Sequence, residues 1–195
     1  MRACIVGELS GGVGVYTRNL IMGLQDRGVD TTIVTPHPQA LDGVGAIIAV
    51  PASRGRARWL PHARRYAHAL ARERGRFDIV HFTDARYALF YRERPQPVVG
   101  TMNDYFYTMT GWMKSAGTRD IYHDWVSRHL YYNVIRTLEG PALRRLDGVI
   151  GVSQAVVSRL NAAYGIPADR LAVVHYGIDY GPGESAPLPK SGPTV

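Results

Sequence analysis

Short continuous apolar runs alternate along this chain with longer amphipathic stretches. Residues 2–7 (RACIVG) predict a buried first strand. A helix follows over Val13 to Arg27, with Val13, Tyr16, Leu20 and Leu24 on one face and Gly28 as its stop. Residues 31–35 (TTIVT) predict a second strand, ended by Pro36 and Pro38, and 46–50 (AIIAV) a short third. A helix over 60–75 puts Ala63, Tyr66, Ala67, Leu70 and Ala71 on one face, with Pro61 in its first turn and Gly75 at its end. Strand 78–82 (DIVHF), a helical patch near 84–93 and strand 97–102 (PVVGTM) come next. Residues 103–118, rich in Gly, Met and aromatics, read as irregular, and a helical pattern then runs from Arg119 to Leu146 with a break at Gly140-Pro141. Strand 148–152 (GVIGV) leads into helix 154–164, capped by Ser153 and stopped by Gly165, and strand 171–175 (LAVVH) is the last.

Continuous apolar strands separated by helices argue for a parallel sheet covered on both faces. The expected fold is therefore α/β: a Rossmann-like, mostly parallel sheet of about seven strands with helices on both faces. Residues 1–180 read as one domain, and 181–195, with four prolines, as a linker toward something that follows. A chain of 195 residues, 46% hydrophobic, is large enough for one substantial core. The lone cysteine, Cys4, cannot form an internal disulfide, no Cys/His group has zinc spacing, and both facts fit the cytoplasm. No apolar run approaches the ~20 residues of a membrane span.

Three loops at strand tips carry candidate chemistry. The first is Gly7-Glu8-Leu9-Ser10-Gly11-Gly12-Val13-Gly14, between a strand and a helix, where glycines let backbone approach a phosphate and the helix N-terminus supplies amide donors. It is neither G-x-G-x-x-G, since Thr17 stands where the third glycine would fall, nor a P-loop. The second strand ends in Thr35 with no acid for a ribose, so nicotinamide and flavin cofactors are disfavoured. A tight turn without a ligand fits this loop equally well. The second loop places His81, Thr83 and Asp84 at or just past a strand end, and structural hydrogen bonding is the alternative role. The third, Gly100-Thr101-Met102-Asn103-Asp104-Tyr105-Phe106-Tyr107, offers amides and carboxylates suited to sugar hydroxyls and aromatic faces suited to sugar rings. A turn with core aromatics is its alternative.

Together with Val149–Ser153 and the run YGIPADRLAVVHYGID (164–179), these motifs resemble, over essentially the whole chain, the N-terminal domain of family 4 glycosyltransferases. That resemblance implies the acceptor-side half of a GT-B fold in a retaining, metal-independent enzyme, needing no cofactor beyond its nucleotide-sugar substrate. It gives Gly11 and Gly12, with Val13 beside them, to the donor diphosphate, and sets Asn103 and Asp104 near the transferred sugar as the catalytic candidates. Tyr16, His81, Thr83, Asp84, Tyr105 and Tyr107 become the acceptor-side candidates. The mechanism it implies is front-face attack, with the donor phosphate assisting deprotonation of the acceptor. The family usually has His where Asn103 stands, and Asn where Tyr176 stands. Its second domain, with the basic pair and paired glutamates that grip the donor, would begin after residue 195. The isolated chain is then expected to be inactive. The alternatives are a non-catalytic glycan- or phosphate-binding module, a subunit of a split transferase, or a sugar-nucleotide epimerase.

The formal charge of +7 raises nucleic acid, an anionic membrane or a phosphorylated substrate as partners. Residues 54–76 hold eight arginines (Arg54, Arg56, Arg58, Arg64, Arg65, Arg72, Arg74 and Arg76) against one acid, Glu73. They are a candidate peripheral contact with the inner membrane face, bringing the enzyme to a lipid-linked acceptor, or simply a solvated helix face. With only Trp59 and Tyr66 nearby to stack on bases, nucleic acid is not expected as a partner.

Overall fold

The computed structural model describes residues 1–38, 45–53, 59–92, 94–103, 134 and 137–177. In chain order the elements are β1 (Arg2–Val6), α1 (Gly11–Gln25), β2 (Asp30–Thr35), β3 (Ala46–Ala49), α2 (Trp59–Arg72), β4 (Ile79–Phe82) and a 3₁₀ turn (Ala85–Phe90). They continue with β5 (Val98–Met102), α3 (137–143), β6 (Gly148–Gly151), α4 (Gln154–Tyr164), a short 3₁₀ turn (Ala168–Arg170) and β7 (Leu171–Val173).

The strands form a single seven-stranded sheet in the order β3-β2-β1-β4-β5-β6-β7, every pairing parallel. The chain builds outward from β1 to β3, then crosses back to lay β4 against β1. Val6 lies in register with Val34 on one side and Phe82 on the other. The period of two in a strand divides the apolar residues between the two faces. Cys4, Val6, Val80, Phe82 and Val98 join the larger core with Tyr66 and Leu70 of α2, while Ala3, Ile5 and Ile33 join Leu9 and Ile21 under α1. Each large side chain buried in this way contributes roughly 1.5–3 kcal/mol relative to exposure. Both faces are covered, as parallel strands require.

Three details depart from the sequence pattern. The fully buried residues of α1 are Gly14, Thr17 and Ile21; of the expected face, Leu20 and Leu24 pack partly buried against the smaller core, while Val13 and Tyr16 are only partly buried and outside it. The cause is the close seat of its first turn, since a Cβ on Gly14 would stand 2.3 Å from the Leu9 carbonyl carbon. Tyr16 is thereby rotated to the flank. The buried face of α2 includes His62 beside Ala63, Tyr66 and Leu70, whereas Ala71 is exposed. The chain also stays helical across Gly140-Pro141. Gly140 lies against α4, where a Cβ would meet the Tyr164 ring at 3.1 Å, so helix packing accounts for the glycine. Helix α4 starts and stops as expected: Ser153 Oγ accepts from the Val156 N–H (3.3 Å), and Gly165 adopts φ 64°. No helix among the described residues is long and apolar enough to cross a membrane.

Candidate functional site

The reversal of strand order between β1 and β4 opens a crevice beyond their carboxyl ends, the usual ligand position in an open parallel sheet. The loop from β1 to α1 forms its floor. Ser10 holds the N-cap position in extended conformation, yet makes no side-chain cap bond; its hydroxyl donates to Glu8 Oε2 (3.3 Å) instead. The first turn of α1 carries no acidic residue. Gly11 has φ +63°, a left-handed conformation that favours glycine. Both Gly11 and Gly12 are exposed, and a Cβ at either position would meet nothing within 4 Å among the described residues. The positive end of α1 therefore opens toward the crevice over backbone alone, an arrangement suited to an anion.

Beneath the loop lies a polar cluster that sequence reasoning missed. Glu8, 8% exposed, receives the Tyr87 hydroxyl on Oε1 (2.7 Å), and His62 Nδ1 stands 3.1 Å from the same oxygen. His62 Nε2 accepts the backbone N–H of Ser53 (2.8 Å). A backbone amide can only donate, so Nε2 carries the lone pair and Nδ1 the proton. His62 is thus a neutral donor to Glu8, and among the described residues Ser10, His62 and Tyr87 all donate to this carboxylate. Burial first, then the negative charges of Asp84 and Glu8, raise the Tyr87 phenol; burial, Glu8 and Asp84 do the same to Tyr66. A carboxylate just past the end of β1 was the available signal, but its partners come from distant elements.

A second chain of contacts crosses the tips of β4 and β5. His81 Nε2 lies 2.8 Å from Thr101 Oγ1, which lies 2.9 Å from the Tyr16 hydroxyl. Burial holds the His81 imidazole down to about 4, so it is neutral near pH 7. The Tyr16 ring packs against Tyr176, with centroids 4.8 Å apart and planes inclined by 47°. The Tyr176 hydroxyl donates to Asn103 Oδ1, and Asn103 Nδ2 donates to the Thr83 carbonyl (3.0 Å). The segment leaving β7 thus folds back over the tips of β4 and β5.

Contacts through Thr101 and Tyr176 link Tyr16, Asn103 and Thr83 at the tips of β4 and β5, while Gly11, Gly12 and Val13 form the first turn of the helix that carries Tyr16. The structure does not leave all the candidates accessible. Thr83 is fully buried, its Oγ1 packed on Gly7, where an added Cβ would lie 1.9 Å away. His81 is 7% exposed and faces Thr101. Asp84 caps the 3₁₀ turn through the Arg86 N–H (3.1 Å), and both of its oxygens are held by the Arg86 guanidinium. Asp104, Tyr105 and Tyr107 lie outside the described residues, as do Arg54, Arg56, Arg58 and the tail 181–195. Among the described residues no three His, Cys, Asp or Glu side chains converge as metal ligands would.

Known proteins give this geometry a family. No curated protein sequence matches the chain. Among solved structures, WaaG, a glycosyltransferase involved in lipopolysaccharide biosynthesis, superposes with TM-score 0.59 at 14% identity, over 92% of this chain and 46% of its own. A sucrose-phosphate synthase structure from Thermosynechococcus elongatus gives TM-score 0.58 at 13% identity, over 91% of this chain and 90% of its own. Anabaena HepE, solved in complex with UDP-glucose, gives 0.54 at 14% identity, over 92% of this chain and 44% of its own. At such identities the likeness is one of fold, and the chain spans less than half the length of the WaaG and HepE chains. The model of Glycosyltransferase Family 4 matches residues 10–181, and the chain belongs to that family.

Proposed function

We propose that this chain is the acceptor-side half of a retaining glycosyltransferase that needs no metal and moves a sugar from a nucleotide-sugar donor to a hydroxyl acceptor. The observation that carries this reading is the glycine backbone at the start of α1, beside the β1/β4 strand-order reversal, with no described atom close enough to meet an added Cβ, no capping side chain and no first-turn acid. In a family 4 chain, that backbone is suited to the donor diphosphate. Amide donors aimed at a leaving diphosphate stabilise charge that grows in the transition state. Asn103 then lies beside the transferred sugar and Tyr16 on the acceptor side. HepE, of similar fold, was solved with UDP-glucose, which supports a nucleotide sugar as donor.

Neither described carboxylate at the crevice is poised as a nucleophile. Glu8 is ringed by Tyr87, His62 and Ser10, and Asp84 is held by Arg86. That supports attack assisted by the donor phosphate, with this domain orienting the reactants. In this reading a second domain grips the nucleotide, and the isolated chain does not turn over.

The acceptor in this reading is a small glycoside or a lipid-linked sugar met at the cytoplasmic face of a membrane. Helix α2 buries its apolar stripe in the core, so membrane contact would rest on its exposed arginines alone. A second reading, binding without chemistry, is favoured by one observation. The His62 and His81 imidazoles are both buried; the His62 lone pair is taken by the Ser53 N–H, and burial holds His81 at about 4, too weak a base to deprotonate an acceptor hydroxyl.

The deciding assay incubates the full-length gene product with labelled sugar nucleotides and candidate acceptors, with and without EDTA. The expected result is acceptor-dependent release of nucleoside diphosphate, insensitive to EDTA, with the donor's anomeric configuration kept in the product. Inversion of configuration would end the retaining assignment. Tight binding without any transfer would favour the binding module.

A further inference from the structure

Asn103 is held on two sides, and the two contacts together decide which way its amide faces. The Thr83 carbonyl can only accept, so the Asn103 atom 3.0 Å from it is Nδ2. Oδ1 must then face the Tyr176 hydroxyl, which donates to it. One N–H of the amide remains for a ligand. Tyr176 is itself placed by its ring, packed at a 47° tilt 4.8 Å from Tyr16, whose hydroxyl is tied through Thr101 to His81. A residue from the segment after β7 thus fixes a side chain at the tip of β5, across a sequence separation of 73.

We propose that Tyr176 is a positioning residue for the donor sugar: its hydroxyl locks the Asn103 amide so that one N–H is presented to a hydroxyl, ring or acetamido oxygen of that sugar. The inference rests on the reading above, in which the transferred sugar lies against Asn103. Asn103 acts directly in this scheme and Tyr176 acts through it. Without the phenol the amide keeps only its Thr83 contact and rotates about its side-chain bonds, so the N–H is no longer held in place. The diphosphate, bound by the α1 backbone, should not sense the change. A tether that merely secures the post-β7 segment would alter stability and all ligands alike.

The experiment is calorimetric titration of the full-length gene product with UDP-glucose, UDP-N-acetylglucosamine, GDP-mannose and ADP-glucose, each against its parent nucleoside diphosphate. Tyr176→Phe, which keeps the tilted ring contact, should raise Kd about fivefold to tenfold for the sugar nucleotide bound best, and leave its parent diphosphate within about twofold. Asn103→Ala should show the same split, and adding Tyr176→Phe to it should cost nothing more, because the second residue acts through the first. Equal weakening of sugar nucleotide and parent diphosphate, additive losses in the double variant, or no effect of Tyr176→Phe would each overturn the inference while leaving the proposed function standing. A wild-type protein that binds none of these nucleotides would overturn both.

Discussion

Glu8, Tyr87, His62 and Tyr66 are buried together, yet their hydroxyl and ring groups are not equally satisfied. Tyr87 donates to Glu8 at 2.7 Å, whereas the Tyr66 hydroxyl, on a fully buried side chain 5.1 Å ring to ring from Tyr87, has no hydrogen-bond partner among the described residues. The two phenols should therefore respond in opposite directions to the same substitution. Tyr87→Phe removes a bond to a buried carboxylate and should cost about 2 kcal/mol. Tyr66→Phe removes an unsatisfied polar atom and should stabilise by about 1 kcal/mol. Urea denaturation of both variants measures the contrast. His81 gives a pH-dependent prediction. Burial lowers its value from 6.5 in the unfolded chain to about 4 in the folded one. Between those values the unfolded chain binds a proton that the folded chain refuses, so stability falls as pH drops from about 6.5 to about 4. The loss amounts to about 3 kcal/mol, and His81→Gln, which keeps a polar contact to Thr101, should lack that share of it in melts across the range.

Helix α1 is where one residue type serves two purposes only two positions apart. Gly14 permits close seating on the Leu9 backbone, with a virtual Cβ 2.3 Å from the carbonyl carbon, while Gly12 faces open space. Gly14→Ala must push backbone against backbone and should destabilise by about 2–3 kcal/mol. Gly12→Ala should leave stability unchanged or raise it by up to about 1 kcal/mol, because alanine loses less backbone freedom in a helix. It should nonetheless weaken diphosphate binding, since its methyl enters the space that the phosphate would occupy. Denaturation with titration of a nucleoside diphosphate separates the two roles. The glycines were visible as a loop signature, but which packs and which opens was not, because that depends on how closely the helix seats. Helix α4 was legible to the residue, since Ser153 and Gly165 act through contacts within one turn. Only half of the expected α1 face was right: Leu20 and Leu24 pack against the smaller core, but the fully buried stripe runs through Gly14, Thr17 and Ile21.

For the whole molecule, the arginine-rich region tests how much of the net charge is available to partners. Arg64 sits 5.0 Å over the Phe90 ring, Arg65 bonds the Pro51 carbonyl at 2.7 Å, and Arg76 bonds Glu73 at 2.6 Å. Several of these charges thus have contacts within the fold. If the exposed face of α2 meets anionic lipid, the full-length gene product should sediment with phosphatidylserine vesicles, and about 0.5 M salt should release it. Sedimentation independent of lipid charge would reduce the region to a solvated surface.

The order of strands and helices, a mostly parallel sheet and the family were written in the sequence; that every pairing is parallel came from the structure. Runs of buried β-branched residues, helix caps and the YGIPADRLAVVHYGID block are local patterns, and burial of local apolar surface suffices to set them. The candidate loops were legible for the same reason: in a parallel sheet every strand tip points to one edge. The partners of the polar residues were decided by tertiary structure alone. Glu8 meets His62 and Tyr87 across separations of 54 and 79, and Tyr176 reaches Asn103 across 73. Those pairs exist because β4 returns to lie beside β1 and the chain folds back after β7. Hydrogen bonds depend on ångström-scale placement of groups that no periodicity encodes.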